Sequence, residues 1–185
     1  MLNPVSNQSP SGAAMSWQPA NLLPLERRPE ELWPWLNHAG SLTEKLRATV
    51  GTAFHVKVLH EGITQLSAED AMLLHTLPGT AARQREIYLC GQAPLVYAQT
   101  LALMEAANWL NDLDNQPLGD RVFAEPDAQR SVIEVAQLAE TQSLQRAAVT
   151  SIAHPPARLW ARRSVLTVRS SRLLIYECFL GVPGR

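Results

Sequence analysis

The stretch Leu173-Leu174-Ile175-Tyr176-Glu177-Cys178-Phe179-Leu180 decides the fold. It is apolar at both alternating sets of positions: Leu174, Tyr176, Cys178 and Leu180 on one side, Leu173, Ile175 and Phe179 with Glu177 on the other. A strand patterned this way is covered on both faces of its sheet. Glu177 is the exception within it. A carboxylate is almost never fully buried unless a partner holds it or a reaction uses it. Glu177 therefore marks either a cross-sheet ion pair or the wall of an internal cavity.

Working outward, Ser164 to Val168 reads as a partner strand, turned through Arg169-Ser170-Ser171-Arg172. A second hairpin joins Arg85–Cys90 to Leu95–Leu101 through Gly91-Gln92-Ala93-Pro94. Phe54 to Leu59 and Ser131 to Val135 are further predicted strands. Ser41-Leu42-Thr43-Glu44 is a capping box opening a helix that stops at Gly51. Helices are also predicted over Met104–Leu113 and Leu138–Ala153, and a short one starts at Pro29, with Pro34 limiting its length. Short hairpin links without regular strand–helix alternation predict a single α+β domain over 17–185, built on an antiparallel β-sheet. Residues 1–16, rich in Asn, Ser, Pro and Gly, are expected to form a disordered tail without the pattern of a secretory signal.

The 185 residues suffice to bury roughly 70% of the unfolded surface around one core. A formal net charge of −1 offers no basic stripe for nucleic acid or an anionic membrane. No apolar run approaches a membrane span. Cys90 and Cys178 lie in apolar strands and read as buried, inert thiols in a reducing cytoplasm. GxGxxG, P-loop, HExxH and GxSxG motifs are missing from the sequence, and the five histidines lack ligand spacing. No metal or cofactor is therefore expected.

Arg85 shares a strand face with Ile87 and Leu89, and its guanidinium cannot shed its charge. Either it pairs structurally with Glu177, or both groups line one cavity and hold opposite ends of a small polar ligand. The group Arg158, Arg162, Arg163, Arg169 and Arg172 brackets a strand and reads as solvated hairpin ends in preference to an anion site. Leu42, at the first position of its helix, offers a backbone N–H with no intrahelical acceptor, a position that favours an anion.

The ordered set Arg85-Glu86-Ile87-Tyr88-Leu89-Cys90, Pro117-Leu118-Gly119, Leu159-Trp160-Ala161-Arg162-Arg163-Ser164 and Leu173-Leu174-Ile175-Tyr176-Glu177 resembles the chorismate pyruvate-lyase family from about Leu32 onward. The resemblance implies an antiparallel sheet with helical flaps over an internal ligand site, in a cytoplasmic enzyme expected to be monomeric. It also implies cofactor-free conversion of chorismate to 4-hydroxybenzoate and pyruvate, at the entry to ubiquinone synthesis. By the same resemblance Arg85 binds the ring carboxylate, Glu177 lies at the hydroxyl end, and the amides of Leu42 and Leu118 also hold the ligand. Two features depart from the family. Ala98-Gln99-Thr100 stands where many relatives have Gly-Arg-Thr, which bears on the enolpyruvyl carboxylate, and Leu138 to Pro156 is longer than usual. The alternatives are a non-catalytic domain sensing a small aromatic acid, similar in fold to ligand-sensing domains of bacterial regulators, or a lyase-like protein inactivated by Gln99.

Overall fold

The structure is a computed structural model that describes residues 15–184. Its centre is an eight-stranded antiparallel sheet. The strands are β1 (Met15–Pro19), β2 (His55–Gln65), β3 (Ala81–Cys90), β4 (Pro94–Leu103), β5 (Gln129–Arg130), β6 (Glu134–Ala139), β7 (Arg158–Val168) and β8 (Ser171–Phe179). They lie in the order β1-β6-β7-β8-β4-β3-β2, with β5 added to β7. The helices are α1 (Trp33–Leu36), α2 (Leu42–Val50), α3 (Ala68–Leu73), α4 (Leu118–Val122) and α5 (Ser143–Val149), with a 3₁₀ helix over Met104–Leu110. This is the α+β architecture expected.

Strand β8 is central and covered on both sides, as its pattern requires. Leu173, Ile175 and Phe179 join the front core with Trp35, Leu36, Leu46, Trp109 and Val122, under α1, α2, α4 and the 3₁₀ helix. Leu174, Tyr176 and Cys178 join the back core under α3 and α5. Two tyrosines anchor the back layer: Tyr88 Oη donates to Ala148 O at 2.9 Å, and Tyr176 Oη donates to Asp70 Oδ1. Both cysteines are buried and unpaired.

Several boundaries differ from the sequence reading. The segment 138–153 is not one helix: β6 continues to Ala139, and Gln142 Oε1 accepts from Ala139 N at 2.8 Å, closing a turn before α5. Strand β2 runs well past Leu59 because it is a sheet edge, where the polar alternation of Glu61 to Gln65 is solvated. Pro34 lies in the first turn of α1 rather than ending a helix, since its fixed φ suits that position. The short helix α3 occupies a stretch with no predicted element, its start capped by Ser67 Oγ accepting from Asp70 N at 3.1 Å. Residues 1–14 of the expected tail lie outside the described residues, and β1 opens at Met15.

The largest correction concerns the basic group. Strand β7 begins at Arg158, not Ser164, which places Arg162 and Arg163 mid-strand, 1% and 5% exposed. Arg163 faces the back and bridges Glu69 (2.6 Å) and Glu134 (2.7 Å). Arg162 faces the front.

Candidate active site

The register of the sheet builds a floor on its front face. Ile87, Ala98, Glu177 and Arg162 lie side by side across β3, β4, β8 and β7, and Arg85, Thr100, Ile175 and Ser164 form the next row. Helices α2 and α4 form the roof. Ser41 Oγ accepts from Glu44 N at 3.2 Å, so Ser41 caps α2 and starts it at Leu42. Pro117 starts α4 at Leu118. The two helix starts meet closely: a Cβ on Gly119 would lie 3.1 Å from Thr43 Oγ1 and 3.2 Å from Ser41 Oγ, so glycine is what this approach accommodates. Outside, Arg47 Nη2 and Asp120 Oδ2 join α2 to α4 at 2.8 Å.

Between floor and roof is a cavity of about 40 Å³, room for a few waters. Its walls are mainly apolar, with Ile87, Leu89, Phe123 and Ile175 among them; Leu42, Leu118, Glu177 and Arg130 complete the part that matters chemically. Three of the four expected site residues thus line one cavity. Arg85 does not. It shares the floor, but its guanidinium meets Glu61 (2.7 Å) and donates to the carbonyls of Gln116 (3.0 Å) and Asp114. It thereby pins the loop that leads into Pro117 and Leu118.

The direct Arg85–Glu177 pair is likewise corrected. Strand β4 separates them, and they are offset by two residues, on the order of 12 Å apart by sheet geometry. Glu177 is instead opposite Arg162, whose Nε lies 2.5 Å from Oε2. Arg162 Nη1 donates to the carbonyls of Trp35 (2.9 Å) and His38 (2.7 Å), tying β7 to the segment before α2. Burial is the largest influence on Glu177 and raises its pKa. Arg162, Arg130 and the hydrogen bond from Arg162 outweigh it, and the carboxyl lies below its ordinary value of 4.5. Glu177 is therefore a carboxylate, able to accept a hydrogen bond or a proton.

Gln99 is not part of this cavity. It pairs with Tyr176 and Glu86 across the back face, and its Nε2 lies 3.3 Å from Glu86 Oε1. Among the described residues no three His, Cys, Asp or Glu side chains are grouped to hold a metal ion, and no helix is long and apolar enough to cross a membrane.

Sequence reasoning missed Arg130 and Arg162. Arg162 carried a signal, since Leu159, Ala161, Val165 and Leu166 continue an apolar strand around it. Arg130 carried none, standing in a polar connection before a predicted strand.

The profile of the chorismate lyase family matches residues 13–184. The chain belongs to the chorismate lyase family. It is an enzyme of the lyase class. Among its relatives, the probable chorismate pyruvate-lyase of Pseudoalteromonas translucida is 35% identical, covering 95% of this chain and 96% of the relative. The protein of the same name from Ralstonia nicotianae is 37% identical, covering 92% and 93%. Similar solved structures include the effector domain of PhnF from Mycobacterium smegmatis, with a TM-score of 0.54 at 13% identity, covering 77% of this chain and 89% of that one. The longer PhnF structure from the same organism has a TM-score of 0.55 at 12% identity, covering 80% and 67%. At those identities the likeness is one of fold.

Proposed function

We propose that the protein is a chorismate pyruvate-lyase that converts chorismate to 4-hydroxybenzoate and pyruvate, the first committed step towards ubiquinone. The observation that carries this reading is the small, mainly apolar cavity with an ionised Glu177 in its floor and the starts of α2 and α4 in its roof. Widened by movement of the α2–α4 lid, it would suit a flat ring bearing an acid and a hydroxyl. The relatives' names supply the substrate class.

In the proposed reaction the C–H bond at the hydroxyl-bearing ring carbon gives its electron pair to a new ring double bond. The neighbouring C–O bond breaks, and enolpyruvate leaves with that bond's pair, then takes up a proton and becomes pyruvate. The change is redox-neutral, and aromatisation drives it without a cofactor. Glu177 accepts a hydrogen bond from the ring hydroxyl and is placed to take the proton. The ring carboxylate lies against the amides of Leu42 and Leu118 at the helix starts. Arg85 contributes to that anchoring by holding the 114–116 loop, and directly once the lid admits ligand. The enzyme acts as a cytoplasmic monomer.

The test is to mix purified protein with chorismate and measure 4-hydroxybenzoate and pyruvate in the same sample. Equal amounts of both are expected, with rates unchanged after exhaustive chelation and dialysis. Chorismate left intact, or turnover that returns only with a divalent metal, would overturn the reading.

A further inference from the structure

Chorismate carries two carboxylates, and Leu42, Leu118 and Arg85 account for one. The described structure holds a second cation that nothing else uses. Arg130 lines the cavity beside Glu177, fixed by Nε donating to Ala39 O at 3.1 Å and Nη1 to Ser164 Oγ. Its guanidinium carbon lies 5.3 Å from the Phe123 ring, another cavity wall. Among the described residues Nη2 makes no hydrogen bond, and Arg130 forms no ion pair. The only carboxylate among the cavity-lining residues, Glu177, is already neutralised by Arg162. Two guanidinium groups thus attend one buried carboxylate, leaving a positive charge that an anionic ligand group would offset.

A second observation gives that charge a direction. Arg130 also lines a cleft of about 240 Å³ open at the surface, together with Asn37, Ala39 and Val132. It is a wall shared between the cavity and this outer cleft. A three-carbon acid arm held there would lie beside the ring rather than beneath it, with a way out that does not cross the ring site. Burial, reinforced by Arg162 and opposed by Glu177, pulls the Arg130 guanidinium down to about 10, and it remains charged at neutral pH.

We propose that Arg130 binds the enolpyruvyl carboxylate of chorismate and stabilises the departing oxygen. This rests on the lyase reading above. Gln99, on the back face, is then irrelevant to the second carboxylate, and its replacement of the family's arginine leaves the reaction intact. As the C–O bond breaks, negative charge moves onto the ether oxygen, and a fixed guanidinium beside it stabilises the transition state more than the ground state.

The experiment compares wild type, Arg130→Met and Arg130→Lys in three measurements: kcat/KM for chorismate, Kd for 4-hydroxybenzoate, and melting temperature. 4-Hydroxybenzoate lacks the enolpyruvyl arm, so its binding reports the ring site alone. Arg130→Met is expected to lose at least about 100-fold in kcat/KM while product Kd stays within about threefold of wild type. Arg130→Lys, which keeps the charge but not the fork, is expected to fall between them and covers the case of an unstable Met variant. Near-normal kcat/KM in either variant would overturn the assignment. So would a product Kd that worsens in step with kcat/KM, because Arg130 would then merely hold the lid. A wild type inactive on chorismate would remove the lyase reading itself, an outcome distinct from an active wild type with an unimpaired variant.

Discussion

Arg162 and Glu177 face each other across β7 and β8 with their charged atoms 2.5 Å apart, 1% and 6% exposed. The pair does two jobs. It keeps Glu177 ionised in a buried floor, and through Arg162 Nη1 it fixes the chain at Trp35 and His38, just before the lid helix α2.

Removing one partner leaves a buried charge uncompensated. Arg162→Met should cost about 3–5 kcal/mol of stability, far more than an exposed pair. Denaturant unfolding measures it. A loss under about 1 kcal/mol would mean that water reaches and screens the pair.

The acid limb of stability follows from the same geometry. Glu177 titrates below its ordinary value in the folded protein, so its contribution is fully present above about pH 4.5 and disappears as pH falls through the folded value. Unfolding midpoints between pH 7 and pH 3 should therefore fall more gently in Glu177→Gln than in wild type. Identical slopes would show that Glu177 binds protons alike in both states.

Arg85→Ala removes the clamp on Asp114 and Gln116, and with it the fixed position of Leu118. Product affinity should fall at least about tenfold, and Arg85→Lys should also be impaired because an ammonium cannot fork across two carbonyls. Calorimetry with 4-hydroxybenzoate, beside thermal melts, checks this. Unchanged affinity in a folded Arg85→Ala protein would count against both the loop-holding and the anchoring role.

The cavity as it stands is too small for a benzoate ring, so the lid must move for substrate to enter and product to leave. Strong competitive inhibition by 4-hydroxybenzoate is expected. Arg47→Ala cuts the exposed link to Asp120 and should speed product release by about two- to fivefold, the scale of a surface pair. Stopped-flow displacement reads this rate, and a slower release would mean that the lid does not open between α2 and α4.

The doubly apolar pattern of 173–180 made the sheet and its two covers legible, and the capping box made the start of α2 legible, because both are local signals. Glu177 stood out for the same reason. Its partner did not, because pairing depends on register: a strand that starts six residues earlier, at Arg158 rather than Ser164, moves Arg162 from a hairpin end to the centre of the sheet. Arg85 was rightly placed on the front face, yet which acceptors it meets is decided by a loop about thirty residues away. Arg130 was silent altogether. Its role arises from Ala39 and Ser164, brought to it by the fold alone.

The most direct test is the single-turnover rate of Glu177→Gln on chorismate, measured beside its affinity for 4-hydroxybenzoate. The variant keeps size and one acceptor but can no longer take a proton. It should fold, bind product, and turn over at least ~100-fold more slowly than wild type. A near-normal rate would reduce Glu177 to a structural partner of Arg162 and contradict the proposed chemistry.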